Sequence, residues 1–207
     1  MKYGTHNSAT YTNVIWWQYP FKWLSNLTSK CQSLTIKEQY DSDVRVFNFQ
    51  VTYYKNEWYI SHGLFVYNIK LLDILKDLKT YASDDDKIYY QLYLDNNFLI
   101  KHDIENFKVL LSLIKAKYVD DNLKLLSCWD ERDNVFLYKY ERCLKIKEYY
   151  WTKQWSKRNS KSWIDKLPLP KRWAKKYNNN VKINNEDYLM LDFIETYDRR
   201  NNIKTDR

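Results

Sequence analysis

Two short stretches, Gly4-Thr5-His6-Asn7-Ser8 and Ser61-His62-Gly63, decide how this chain is interpreted. The 207 residues include only two glycines, and each lies within two residues of a histidine. Glycine is used where the backbone needs a positive φ or a close approach to another segment. We therefore expect His6 and His62 to project from strand ends into one pocket. Two imidazoles suit acid–base chemistry near neutral pH, although a single histidine beside a turn is more often structural.

The composition restricts the classes of function. A net charge of +8 favours anionic partners such as nucleic acid, an anionic membrane surface or a phosphate-bearing substrate. Neither the P-loop nor the dinucleotide-binding glycine pattern can be written with two isolated glycines, so these nucleotide-binding classes are excluded.

The cysteines and the apolar runs indicate where the protein works. Cys31, Cys128 and Cys143 are odd in number and have no CxxC spacing, which is typical of free thiols in a reducing compartment. The first residues form no apolar signal segment, and no run of about 18 apolar residues would span a membrane. We expect an intracellular protein that is soluble or peripheral to a membrane.

Strand and helix patterns alternate along most of the chain and predict an α/β fold. A capping box at Thr35 and Glu38 begins one helix, and Asn68 and Asp103 are expected to cap two more. Strands are predicted at residues 1–5, 44–51, 57–61, 87–94, 123–127, 134–140 and 188–194.

Polar residues stand at or near the ends of several predicted strands. In a (β/α) barrel, such residues gather at the mouth formed by the carboxyl ends of the strands. The chain is short for a complete barrel, so we expect one domain over residues 1–207 with a distorted or incomplete TIM barrel. Its mouth would bring together His6, Asn48, Gln50, His62, Asp95 and Asp192.

Two further segments stand out, and each has two interpretations. Residues 9–32 are rich in aromatic rings, which either pack on the core or form a rim that enters a lipid interface. Residues 151–182 form a basic aromatic segment, with nine Lys or Arg between Lys153 and Lys176 against one acid. That segment is either a solvated face or a binding surface for phosphate backbones or anionic headgroups.

Several motifs in this order resemble the X region of phosphatidylinositol-specific phospholipase C, within the PLC-like phosphodiesterases. They are the stretch around His6, the segment Cys31–Gln39, the strand Val44–Gln50 and His62-Gly63. Leu191-Asp192-Phe193 is also similar to the closing strand of the family. The family fold is a distorted TIM barrel, in agreement with the interpretation from the patterns.

The resemblance implies a two-histidine mechanism. His6 matches the general base that acts on the inositol 2-hydroxyl, which then attacks the phosphodiester. His62 matches the general acid that protonates the departing diacylglycerol oxygen, and Asp192 matches the acid that orients the first histidine. A cation, either an arginine or calcium, stabilises the phosphoryl oxygens in the family.

The chain departs from the family where that cation is held. Asn48 and Gln50 are amides at positions that carry charged groups in active members. A calcium site would use Asn7, Asn48, Gln50 and Asp95, and with a single carboxylate it would bind weakly or not at all. The residues expected to contact substrate or phosphate are Asn7, Arg45, Asn48 and Gln50.

Three hypotheses therefore stand at this point. The first is a phosphodiesterase of the phospholipase C type, acting on phosphatidylinositol or a related phosphodiester. The second is a catalytically silent relative that binds an anionic lipid, a phosphate or a protein. The third is a nucleic-acid-binding or structural protein that uses residues 151–182. Asn, Lys, Tyr and Ile are abundant while Gly and Pro are rare, which indicates an AT-rich coding sequence. This residue usage resembles that of family members from large DNA viruses, so a location in the virion is left open.

Overall fold

The structure is a computed structural model that describes residues 2–97, 99–140, 144–150, 153–154, 167–181 and 187–197. Of the basic aromatic segment predicted over 151–182, these ranges include residues 153–154 and 167–181. The strands are β1 (Lys2–Thr5), β2 (Val44–Tyr54), β3 (Glu57–His62), β4 (Phe65–Lys70), β5 (Ile88–Leu94), β6 (Leu123–Asp130), β7 (Val135–Lys139), β8 (Ile146–Tyr149) and β9 (Tyr188–Leu191). The α-helices are α1 (Lys22–Thr28), α2 (Ile36–Asp41), α3 (Leu71–Tyr81), α4 (Ile104–Lys117) and α5 (Pro170–Tyr177), and 3-10 helices cover Trp16–Phe21, Asn178–Asn180 and Ile194–Thr196.

All nine strands belong to one curled sheet. Its main order is β7-β6-β5-β2-β1-β9-β8, and the β3–β4 hairpin branches from β2. The neighbours from β6 to β8 along this order are parallel, whereas β7 joins antiparallel at the far edge. The predicted α/β class is therefore correct, and in the described ranges β7 and β8 do not pair to close the sheet.

The alternation of strands and helices, which the patterns predict along most of the chain, is interrupted at β3. Lys55 and Asn56 both have positive φ, of 49° and 63°, and form a tight turn that sends the chain back along β2. β3 is consequently antiparallel to β2, and β4 follows it in a second hairpin. β2 extends beyond the barrel mouth to Tyr54, and β3 runs back along it. His62, at the end of β3, therefore lies near the mouth.

The two faces of the sheet carry two hydrophobic clusters. The larger cluster joins the helices to strand residues such as Phe47, Leu189 and Leu191. The smaller one contains Val46 and Met190, their neighbours along the strands. Because side chains alternate between the faces of a strand, these clusters lie on opposite faces of the sheet.

Two of the three predicted helix caps are present in the structure. Thr35 and Glu38 form the predicted capping box of α2, and Asp103 accepts a hydrogen bond from the Asn106 backbone at the start of α4. Asn68 is not a cap, because β4 continues through it to Lys70 and α3 begins at Leu71.

The middle of the aromatic segment forms two consecutive short helices, which we call the helical pair. The 3-10 helix that contains Pro20 runs directly into α1. Trp16, Phe21 and Trp23 are 75%, 56% and 65% exposed, so these rings do not pack into the core. No helix within the described ranges is long and apolar enough to cross a bilayer.

The two glycines are needed for different reasons. Gly63 has a φ of +62°, which L side chains rarely adopt. Gly4 lies between β2 and β9, where an added Cβ would be 3.1 Å from the Cβ of Val46 and 3.5 Å from that of Met190. The absence of a side chain at Gly4 lets β1 pair closely with both neighbours.

We predict that Gly4→Ala lowers the free energy of unfolding by about 1–3 kcal/mol, the usual cost of overpacking a core. Urea denaturation would measure the loss. Gly63→Asn is the control, because its Cβ meets no atom within 4 Å and asparagine tolerates positive φ. Equal stability of Gly4→Ala and the parent protein would contradict the crowding at β1.

Candidate active site

A cavity of about 460 Å³ opens at the carboxyl edge of the parallel strands. It contains five of the six residues predicted to meet at the mouth, and the sixth, Asp192, contacts His6 from behind. The lining consists of polar, acidic and aromatic side chains: His6, Asn48, Gln50, His62, Gly63, Tyr93, Asp95, Asn96, Trp129, Glu131, Asn134, Tyr150 and Lys153.

His6 and Asp192 form a buried pair. Nδ1 of His6 lies 2.8 Å from Oδ1 of Asp192, and the two residues are 7% and 1% exposed. The carboxylate accepts a hydrogen bond from Nδ1–H, which leaves the lone pair on Nε2. Nε2 accepts a hydrogen bond from Nδ2 of Asn7 at 3.1 Å. The arrangement fixes the orientation of the imidazole and leaves Nε2 as its hydrogen-bond acceptor.

Backbone contacts keep this pair in register. β1 and β9 are parallel neighbours, so the residues that follow them emerge side by side. Nε2 of Gln32 donates to the carbonyls of His6 and Leu191, at 3.0 and 2.9 Å, and bridges the two strand ends. The sharp turn after His6 uses Asn7 at a φ of 45°.

Asn48 holds the same turn from the neighbouring strand. Its Oδ1 accepts a hydrogen bond from the backbone of Asn7 at 3.2 Å, and its carbonyl accepts one from the backbone of Ser8 at 2.8 Å. The backbone N–H of Asn48 donates in turn to the Ser8 hydroxyl. These contacts explain the residues around His6 in the first motif: they tie the histidine turn to β2.

His62 faces His6 across the cavity. The ring centroids are 5.9 Å apart and the planes are nearly perpendicular. Nδ1 of His62 donates to the carbonyl of Ser29 at 2.6 Å, so Nε2 is the nitrogen that remains for a substrate. Burial and the neighbouring His6 lower the pKa of His62 to about 4.

Tyr150 supports His6 from the opposite side and was missed by the sequence analysis. Its ring stacks on the imidazole with centroids 3.8 Å apart and planes 2° from parallel. Tyr150 follows directly after the short strand β8, where the sequence pattern predicted no element. The stacked ring limits the imidazole to one orientation.

Two acids line the other side of the cavity. Asp95 follows β5 as predicted, and Glu131 follows β6. Burial and the charge of Glu131 raise the pKa of Asp95 to about 8, and burial also raises the pKa of Glu131. Glu131 was overlooked, although its position after β6 matches that of Asp95 after β5.

Two oxygen atoms near these acids are buried without a hydrogen-bond partner. They are Oδ2 of Asp95 and Oε1 of Gln50, whose Nε2 donates to Glu131 at 2.7 Å. Unsatisfied buried oxygens next to carboxylates provide the donor set that a hard cation such as Ca²⁺ prefers. Gln50, Asp95 and Glu131 therefore fit a calcium ion.

The other predicted ligands and phosphate contacts are placed differently. Asn7 does not line the cavity, because its amide lies against His6 and the thiol of Cys31. Arg45 is at the opposite end of β2, where its Nε donates to Asp86 at 2.5 Å. The prediction that Arg45 contacts the phosphate is therefore wrong, since this ion pair holds its side chain outside the cavity.

A second cavity of about 400 Å³ lies behind the two histidines. It shares His6, His62 and Gly63 with the first, and it adds Asp192, Cys31 and an apolar wall. The third histidine, His102, lines neither cavity and pairs with Asp130 at 3.1 Å.

Searches with the sequence found no matching protein-family model and no matching curated protein. Comparison with solved structures found phosphatidylinositol-specific phospholipases C. The enzyme from Listeria monocytogenes matches with a TM-score of 0.61 at 17% identity, over 100% of this chain and 92% of the other. A point mutant of the Staphylococcus aureus enzyme matches with a TM-score of 0.57 at 14% identity, over 93% of this chain and 84% of the other.

A likeness at these identities concerns the fold, and it agrees with the curled, mostly parallel sheet described above. The resemblance noticed in the sequence motifs is thereby supported by an independent, structural match. The chain has the fold of the bacterial phosphatidylinositol-specific phospholipases C, in the form of a distorted and incomplete (β/α) barrel.

Proposed function

We propose that the protein is a phosphodiesterase of the phospholipase C type, which cleaves phosphatidylinositol or a related phosphodiester. The observation that carries this proposal is the pair of histidines in one cavity, with Asp192 on Nδ1 of His6 and His62 5.9 Å away. The candidate proton acceptor is Nε2 of His6, whose lone pair accepts a hydrogen bond from Asn7 in this structure, and His62 lies across the space where a phosphodiester fits.

The proposed reaction is a transfer of phosphorus between two oxygens of the substrate. Nε2 of His6 takes the proton from a substrate hydroxyl, and that oxygen forms a new bond to phosphorus. The bond from phosphorus to the lipid oxygen breaks, and His62, after taking up a proton from solvent at Nε2 in the substrate complex, gives that proton to the departing oxygen. Asp192 stabilises the imidazolium that forms on His6 and keeps the ring in the required tautomer.

The described lining of the cavity offers little positive charge to stabilise the phosphoryl oxygens. Glu131 when ionised, and Asp95 above its pKa of about 8, would repel the phosphate, and Asn48 and Gln50 have no charge to offset them. A calcium ion held by Gln50, Asp95 and Glu131 would supply positive charge to the phosphoryl oxygens. Lys153, which pairs with Glu148 at 3.3 Å, is the one lysine or arginine among the described residues that line the cavity.

A catalytically silent binding protein is the second candidate function. The amides at Asn48 and Gln50 favour it, because family members with activity have charged groups there. Under this alternative the cavity keeps its shape and binds a phosphate or a headgroup without cleaving it. Nucleic-acid binding through residues 151–182 stays a prediction, since the structure describes only residues 153–154 and 167–181 of that segment.

A lipid surface is the partner that the exposed aromatic rings fit. Trp16, Phe21 and Trp23 project from the helical pair, and Leu24 of α1 lines the second cavity beside His62. Aromatic rings partition well into the interface of a bilayer, and Lys22 and Lys55 lie among them for contact with anionic headgroups. Docking by this surface would bring the lipid phosphate to the two histidines.

We predict that His6→Ala and His62→Ala each abolish the formation of inositol cyclic phosphate from phosphatidylinositol vesicles. Losing a general acid or base typically costs about 10²–10⁴-fold in rate. Phosphorus NMR would detect the product, with and without calcium. His102→Gln is the matched control, because this third histidine lines neither cavity. No product from the parent protein, with vesicles still bound, would favour the silent alternative.

The pH dependence of His62 is a separate prediction. In the free protein His62 should titrate near pH 4, below its ordinary value of 6.5, so it is neutral at pH 7. A bound phosphodiester anion favours the imidazolium and should raise this pKa. We therefore expect the descending limb of kcat to lie at higher pH than that of kcat/KM. A histidine NMR titration, with and without inorganic phosphate, would measure the shift directly, and a free-protein value of 6.5 or above would contradict it.

We predict that Trp16→Ala with Trp23→Ala weakens binding to phosphatidylinositol vesicles by about tenfold or more, since each buried large side chain contributes about 1.5–3 kcal/mol. Sedimentation of sucrose-loaded vesicles would measure the change. Val109→Ala on α4 is the control, because Val109 is 67% exposed but lies away from this helical pair. Equal losses in both proteins would show that the aromatic rings are not the docking surface.

A further inference from the structure

We infer that His6, Cys31 and Asp192 form a binding site for a thiophilic divalent metal of the zinc class. One ligand atom from each of the three residues lies within 4.8 Å of the other two. All three residues are buried, with exposed fractions of 7%, 1% and 1%. The site is separate from the oxygen-rich side of the cavity at Asp95 and Glu131.

The three ligands come from distant parts of the chain and are already assembled. Nδ1 of His6 and Oδ1 of Asp192 are 2.8 Å apart. The backbone of Cys31 is held in place by two hydrogen bonds: its N–H donates to the hydroxyl of Thr10 at 2.9 Å, and its carbonyl accepts from the N–H of Phe193 at 2.7 Å. Little ordering is therefore left to accomplish when a metal binds.

The chemistry of this set selects the metal. A thiolate, an imidazole and a carboxylate match zinc, which binds sulfur at about 2.3 Å and nitrogen or oxygen at about 2.0–2.2 Å in a tetrahedron. Soft sulfur disfavours calcium and magnesium, which take the oxygen donors on the other side of the cavity. Shifts of about 1 Å in the side chains would bring the three atoms to these distances.

A fourth ligand is also present. The amide of Asn7 contacts both Nε2 of His6 and Sγ of Cys31 through Nδ2, at 3.1 and 3.9 Å. Its Oδ1 is buried and has no hydrogen-bond partner. Rotation of the amide by a half turn would direct this oxygen toward the three ligands. The second cavity, which His6, Cys31 and Asp192 line together, provides a path for the ion.

Binding has two consequences that can be measured. The Cys31 thiol loses its proton to solvent as the sulfur–metal bond forms. Nδ1 of His6 must also give up the proton that it donates to Asp192, either to solvent or by the change of tautomer that moves it to Nε2, so one or two protons are released for each ion bound. The ion would also bind a ring nitrogen of His6 and a carboxylate oxygen of Asp192, and these atoms would then no longer be available for the hydrogen bond between the two residues. Metal binding should therefore inhibit the proposed phosphodiesterase, a consequence that rests on the proposed function, whereas the binding itself does not.

Calorimetric titration of the full chain with Zn²⁺, in two buffers of different ionisation enthalpy, would measure affinity and proton release. Titration with Co²⁺ would add a spectroscopic signature, because a cobalt–thiolate bond produces a charge-transfer band in the near ultraviolet. We expect one ion per chain, release of protons and this band. Cys31→Ser should remove the band and weaken binding by more than the roughly 10–100-fold that outer contacts to a metal contribute.

Two control variants separate this site from the alternatives. Cys128→Ser removes the other described free thiol, and it should leave the band and the affinity unchanged. Asp133→Asn alters the other group that could hold a metal, formed by His102, Asp130 and Asp133, and it too should bind zinc like the parent protein. A second variant, Cys31→Ala, with a thermal melt of each protein, guards against loss of binding through unfolding.

The result that would overturn the inference is zinc affinity unchanged in Cys31→Ser, or a cobalt band that disappears in Cys128→Ser. Loss of binding in Asp133→Asn alone would place the metal at His102 instead. Because these readouts need no substrate, a protein without phosphodiesterase activity can still confirm the site. An active protein that binds no zinc would refute it while the proposed function stands.

Discussion

The hydrogen bond between His6 and Asp192 depends on the parallel pairing of the first and last strands of the sheet. The two residues are 186 positions apart, and β1 and β9 place them side by side only because their registers match from Lys2 to Thr5. Gly4 allows this close packing, and the side chain of Gln32 bridges the strand ends. The pairing of β1 with β9 thus stabilises the sheet and also sets the tautomer of His6, the candidate base.

Two cavities with different environments lie on either side of the His6–Asp192 pair. One side offers acids and amides whose oxygens are partly unsatisfied, which suits a hard cation and the oxygens of a headgroup. The other side offers a thiol and apolar walls behind the histidines. His6 and His62 stand at the boundary and line both cavities. Burial is the main cause of both the lowered pKa of His62 and the raised pKa of Asp95.

Sequence patterns located the elements well where local chemistry decided them. The capping box at Thr35 and the cap at Asp103 each depend on residues within a few positions. The antiparallel direction of β3 follows from the positive-φ turn at Lys55-Asn56, which reverses the chain. Tyr150 and Glu131 were missed because nothing in their neighbourhood along the chain marks them; both reach the site through sheet order.

The sequence by itself determined the α/β class, the two His–Gly stretches and the acid after the final apolar run, since strand alternation and turn chemistry are local. Only the tertiary structure decided which of those residues share a cavity. It placed Asn7 against a thiol and Arg45 in an ion pair with Asp86, and it brought Glu131 beside Asp95. The reason is that strand order and register are set by packing between distant segments, and a shift of one residue would turn each of these side chains to the other face.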